Sequence, residues 1–201
     1  MAHSPFTELQ ADARQRLLAI ARDSISHGLE HGVPATLADD RLTGIVGEPR
    51  GSFVTLRQQS TLRGCVGTIE PVHPLGKAVA KAAFNAAFRD TRFPALQEHE
   101  LPTTTIEISV LSHMEFIAAP SEAALLQSLE IGVDGLLLQE GWRRATFLPK
   151  VWEQIPDPVD FLNALREKAG LPAHYWSDSL HFQRYQAMAF AEPELRPVAN
   201  G

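Results

Sequence analysis

The chain has 201 residues, of which 44% are hydrophobic and 21% charged, ordinary globular composition with enough length to bury a core without staples. Its single cysteine, Cys65, excludes an intrachain disulfide and any cysteine-built zinc or iron–sulfur cage within one chain. Its net charge of -6 works against a nucleic-acid binder, because neutralising phosphates takes clustered Lys and Arg.

Ser4-Pro5 reads as an N-cap followed by a first-turn proline. From there Phe6, Leu9, Ala13, Leu17, Ala21, Ile25 and Leu29 recur at three- and four-residue spacing, which predicts an amphipathic helix ending near Gly28 or Gly32. Val33 to Arg50 is rich in turn formers and reads as a long loop. Gly51 to Arg57 and Leu62 to Ile69 are expected as strands, the second interrupted by Gly64 and Gly67. Pro74 opens a second helix lined with small alanines, stopped by Asp90 to Pro94. Thr104 to Leu111 alternates Ile106, Ile108 and Val110 with Thr105, Glu107 and Ser109, a half-buried strand.

Pro120 to Leu129 is expected to be a short helix, and Gly135 to Leu138 is expected to pair with Ala145 to Leu148 across Glu140-Gly141. Asp157 to Lys168 is a helix with an Asp-Pro start and Gly170 as its stop. Leu180 to Phe190 reads as one last strand, and 192–201 as a flexible tail. The sum is α+β with a largely antiparallel sheet flanked by helices. The start of the chain lacks the basic and apolar regions of a signal peptide, and no apolar run approaches the roughly 20 residues of a membrane span. A soluble, cytoplasmic setting is the expectation.

The candidate chemistry centres on Thr61-Leu62-Arg63-Gly64-Cys65-Val66-Gly67-Thr68. Residues two apart in a strand share a face, which sets Arg63 beside Cys65 provided no bulge intervenes. A guanidinium near a thiol favours the thiolate, the form that attacks electrophiles. Gly64 and Gly67 would let a substrate or another backbone segment come close. The opposing reading is that Cys65 packs as a small hydrophobe. Asp90 and Arg92 can pair with each other, bond the loop backbone, or hold an anionic ligand through the planar guanidinium. Glu107 is a candidate general base if its face lines a cleft; otherwise it meets water. His27 and His31 have the spacing of a helical metal pair, but no third ligand is implied and no metal is expected. His73 is a candidate partner for the thiol, although its Pro-rich turn favours solvent. Neither a phosphate-binding P-loop nor a dinucleotide-binding glycine motif is present, and no cofactor is expected.

Leu62-Arg63-Gly64-Cys65-Val66-Gly67 closely resembles the Leu-Arg-Gly-Cys-Ile-Gly signature of the AMMECR family, whose prokaryotic members are called AmmeMemoRadiSam system protein A. The likeness continues through Gly51 to Leu56, Gly67 to Pro71, Pro74-Leu75, Asp90-Thr91-Arg92-Phe93-Pro94, Ile106 to Leu111, Gly135-Leu136, Phe147-Leu148-Pro149, Phe161-Leu162 and Lys168 to Leu171. It spans roughly residues 10–190. Val66 replaces the usual Ile, and Asp134 stands where many members have His, which makes that position a poor one for an essential histidine. The resemblance implies a single AMMECR-type domain with larger and smaller lobes and a cleft between them. It also implies work alongside a Memo-like protein and a radical SAM protein, without an established reaction.

On that basis Cys65 and Arg63, with Glu107, are the catalytic candidates, and Gly64, Gly67, Thr68, Asp90 and Arg92 the ligand-binding ones. Three functions compete. The first is an accessory or catalytic component of a modification pathway. The second is a non-catalytic module that binds a ligand or partner. The third, an RNA-modification factor, gains little from the acidic balance.

Overall fold

A computed structural model describes residues 9–193. The Ser4-Pro5 cap, Phe6 and residues 194–201 of the expected tail lie outside them. The chain divides into two compact units: the first runs to Leu111 and resumes at Met188, and the second, Ser112–Ala187, is inserted between.

The first unit begins with α1 (Ala11–His31), which buries Ala13, Leu17, Ile20, Ala21 and Ile25 along one stripe. It stops at Gly32, whose φ of 71° places it in the left-handed region and whose N–H bonds the Gly28 carbonyl. Leu9 is buried but precedes the helix, so the periodic pattern runs past the true start. Two single-turn 3-10 segments, Asp39–Arg41 and Gly44–Gly47, punctuate the expected loop.

Next come β1 (Ser52–Gln58) and β2 (Thr61–Thr68), an antiparallel hairpin. Gln59 and Ser60 turn it with φ of 47° and 70°. Two positive φ values are the mark of a type I′ turn, made here without the usual Asn-Gly. α2 (Leu75–Phe88) follows, with Ala78, Ala80, Ala82, Ala83, Ala86 and Ala87 buried. Small side chains let its backbone lie close to the sheet and to α1.

The four-stranded sheet has the order β2-β1-β3-β8, with β3 at Thr104–Leu111 and β8 at Ala187–Ala191. Ser52, Val54 and Leu56 of β1 share the buried helix-side face with Ile106, Ile108 and Val110 of β3. Burial of this face beneath α1 and α2 is the main hydrophobic contribution to the unit.

The second unit carries its own antiparallel sheet, order β4-β7-β5-β6. Its strands are β4 (Glu115–Ile117), β5 (Gly135–Glu140), β6 (Arg143–Phe147) and β7 (His181–Tyr185). α3 (Glu122–Ser128) is capped by Ser121 Oγ, and α4 (Pro158–Lys168) by Asp157, which accepts from the Val159 and Asp160 N–H groups. Trp152 stacks on Phe161 at 3.7 Å between ring centroids and donates Nε1–H to the Asp134 carbonyl at 2.7 Å.

The α+β class and the antiparallel pairing expected from the sequence hold. Two expectations need correction. Leu180 to Phe190 is not one strand: it breaks at Gln186 into β7 of one sheet and β8 of the other. The tail does not begin at Glu192. That carboxylate accepts from Arg22 Nε at 2.6 Å and from the Ile106 N–H at 3.0 Å, pinning the chain beside β3.

Candidate functional site

The signature segment is β2, the edge strand of its sheet. Its register with β1 slips once. Leu62 pairs with Arg57 and Gly64 with Leu56, leaving Arg63 as the extra residue of a bulge. The bulge re-aims Arg63. Its Nε and Nη2 donate to the two oxygens of Glu100 at 2.8 and 2.9 Å, and Nη1 donates to the Pro94 carbonyl at 3.0 Å. The residue is 8% exposed. The sequence condition for placing Arg63 beside the thiol, an unbulged strand, is therefore not met. Arg63 instead ties β2 to the 3-10 segment Glu98–Thr103. Hydrogen bonds from Arg63 hold the Glu100 carboxyl at about 2, against desolvation, with help from the Gln97 N–H.

Cys65 keeps its place in the ladder, opposite Thr55, on the face away from the helices. The Thr55 hydroxyl donates to Cys65 Sγ at 3.4 Å. The outward backbone groups of this edge residue are satisfied by side chains. Asp90 Oδ2 accepts the Cys65 N–H at 2.8 Å, and Arg92 Nη2 donates to the Cys65 carbonyl at 3.1 Å. Asp90 and Arg92 are themselves joined in a bidentate pair, at 2.9 and 2.7 Å. Together they act as a one-residue neighbouring strand, which also blunts the exposed edge.

The hydrogen bonds from Arg92 hold the Asp90 carboxyl far below the usual carboxylate range, aided by the Cys65 N–H and opposed by burial. Arg92 is correspondingly raised, chiefly by its hydrogen bonds to Asp90 and against desolvation. Arg92, not Arg63, is the arginine that meets Cys65, through its carbonyl.

Glu107 stands opposite Thr55 on its other side, so Cys65, Thr55 and Glu107 form one row across three strands. At about 4.8 Å per strand, Glu107 lies roughly 10 Å from Cys65. That is outside hydrogen-bond reach of the thiol. It faces Arg57 at 3.7 Å.

The two signature glycines meet the protein's own backbone. A Cβ on Gly64 would sit 2.1 Å from the Ala86 carbonyl oxygen, and one on Gly67 2.2 Å from that of Ser52. Thr68 Oγ1 accepts the Glu70 N–H at 3.0 Å. Gly67 and Thr68 also line a pocket between β2 and α2, as does His73. His27 and His31 stack on each other at 4.2 Å, and no group of three metal-ligating side chains occurs among the described residues. Asp134 is buried, and its carboxylate accepts the Glu130 N–H at 2.9 Å, a turn-forming role.

Sequence reasoning missed Thr55 and Glu100. Thr55 could have been found by counting alternation from the hairpin turn, had Gln59-Ser60 announced one. Glu100 carried no local signal, because its partner lies 37 positions away.

The chain matches the AMMECR1 family model over residues 18–190. It is 37% identical to a protein of Methanothermobacter thermautotrophicus over 93% of this chain and 98% of that one. It is 34% identical to protein MK0488 of Methanopyrus kandleri, covering 93% and 92%. The crystal structure of uncharacterized protein PH0010 from Pyrococcus horikoshii superposes with a TM-score of 0.77 at 32% identity, covering 89% of this chain and 90% of that chain. Sequence match and shared fold agree over nearly the whole length: the chain belongs to the AMMECR1 family.

Proposed function

We propose that the Cys65 strip is the working site of an accessory or catalytic component of a modification pathway, acting with Memo-like and radical SAM partner proteins. One observation carries this reading. The chain's sole thiol is half-buried, receives a hydroxyl hydrogen bond from Thr55, and sits on a residue whose carbonyl accepts from the Arg92 guanidinium. A guanidinium is a natural counter-ion for the thiolate, the nucleophilic form. The Asp90–Arg92 cap fixes the backbone of the residue carrying it. The signature resemblance supports the choice of partners.

The test is alkylation of the full chain by iodoacetamide near neutral pH, followed by intact mass. Cys65 is expected to react faster than free cysteine, and Arg92→Ala to slow it. A rate equal to that of free cysteine and indifferent to Arg92→Ala would reject the reading. In a complementation assay, Cys65→Ser then separates a chemical role from the second reading, a non-catalytic binding module. That alternative is favoured by the way Asp90 and Arg92 are spent on holding the edge strand. It requires Cys65→Ser to keep full function.

A further inference from the structure

On the opposite, helix-side face of the β1–β2 hairpin lies a pocket of about 300 Å³. This is at the small end of ligand sites. Val66, Ala78 and Ala82 give it apolar walls, and Ser52, Lys81 and Asn85 bring polar groups to it. Ser52 is 1% exposed, yet its Oγ has no hydrogen-bond partner. A buried hydroxyl without a partner is uncommon and costs stability unless something else meets it. Here that hydroxyl belongs to a wall residue of a cavity large enough for a small organic molecule.

Lys81 is the second observation. Among the described residues it has no ion pair or hydrogen bond, whereas Lys77, one turn earlier, pairs with Asp39 at 3.0 Å. Lys77, Lys81, Asn85 and Arg89 follow one another at four-residue spacing along α2 and its C-cap. They also line an adjoining pocket of about 330 Å³. Like charges at this spacing repel on a helix. A ridge with three cations in a chain of net charge -6 is a local field that an anion relieves. Glu70 lines the first pocket as well, which favours one anionic head over two.

We propose that the pocket between β2 and α2 binds a small organic molecule with a single oxyanion head, carboxylate or phosphate monoester, on an aliphatic body. The head sits on Lys81 and takes hydrogen bonds from Ser52 Oγ and the Asn85 amide. The body lies against Val66, Ala78 and Ala82. This site is across the sheet from the Cys65 thiol and stands whether or not that thiol reacts.

Isothermal titration calorimetry of the full chain tests it with butyrate, butyl phosphate, succinate, inorganic phosphate, 1-butanol and butylamine as probes. Saturable binding of butyrate or butyl phosphate is expected, the tighter of the two naming the head. Succinate and inorganic phosphate should bind more weakly, and butanol and butylamine not at all. Lys81→Ala should weaken the better probe by about tenfold or more, the loss of one charge-assisted contact. Ser52→Ala should weaken it by about threefold, and Lys77→Ala should leave it within about twofold. The melting temperature of unliganded Lys81→Ala should be no lower than that of wild type, since no partner is lost and repulsion along the ridge falls. Absence of saturable binding by both anions overturns the proposal. So does binding indifferent to Lys81→Ala, or inorganic phosphate matching butyl phosphate, which would mark a bare-anion site on the ridge.

Discussion

Asp90 accepts the backbone N–H of Cys65 at 2.8 Å, joining the loop after the second helix to the centre of the edge strand. The carboxylate is held ionised by Arg92, which closes the ring through the Cys65 carbonyl. Three residues from two distant stretches thus make one rigid unit. Asp90→Ala should leave that N–H to water and release Arg92, destabilising the fold by about 1–3 kcal/mol in urea titration. A change under about 0.5 kcal/mol, the usual surface value, would show that the edge needs no cap.

The two arginines separate by function. Arg63→Ala should destabilise by about 1–3 kcal/mol, because Glu100 loses its bidentate cation and keeps only the Gln97 N–H and the Gln58 amide as donors. The folded fraction should alkylate at Cys65 at the wild-type rate. Arg92→Ala should do the reverse: a modest stability loss and a slower thiol. Parallel urea and alkylation series read both quantities, and identical profiles for the two variants would contradict the assignment.

Gly64→Ala should be among the most damaging single-methyl additions, costing about 3 kcal/mol or more through overpacking. The added Cβ would lie 2.1 Å from a main-chain oxygen of α2, and backbone cannot swing aside as a flexible side chain can. Thermal unfolding checks this. Wild-type stability would mean α2 shifts freely on the sheet.

Acid should unfold the first unit by a traceable route. The folded-state value of Glu100 lies near 2 against an ordinary 4.5, so the unfolded chain takes up the proton first. Its contribution is therefore complete above about pH 4.5 and is lost as pH falls toward 2. Asp90 acts in the same direction, with loss starting below its ordinary 3.8. Urea midpoints measured from pH 5 downward should fall, and Glu100→Gln should be less stable at neutral pH with a shallower acid slope. An unchanged slope in that variant would remove Glu100 from the account.

Much of the fold was legible because local chemistry repeats it. The Thr104–Leu111 alternation, the Asp157-Pro158 helix start and the left-handed stops at Gly32 and Gly170 each follow from nearest neighbours. The stretch near Gln186 was not legible. Leu180 to Phe190 holds neither glycine nor proline, so nothing local marks where the chain passes from one sheet to the next. β4, three residues long, is too short for any period to show.

The site divides in the same manner. By itself the sequence determined that one thiol sits between two glycines in a strand, that Asp90 and Arg92 close the second helix, and that Glu107 alternates outward. It could not determine which arginine meets Cys65. A single extra residue, Arg63, sets a bulge in β2, and a bulge exists only relative to the strand beside it. Register belongs to a pair of strands, so only the tertiary structure turned Arg63 toward Glu100 and brought Arg92, 27 positions downstream, to Cys65.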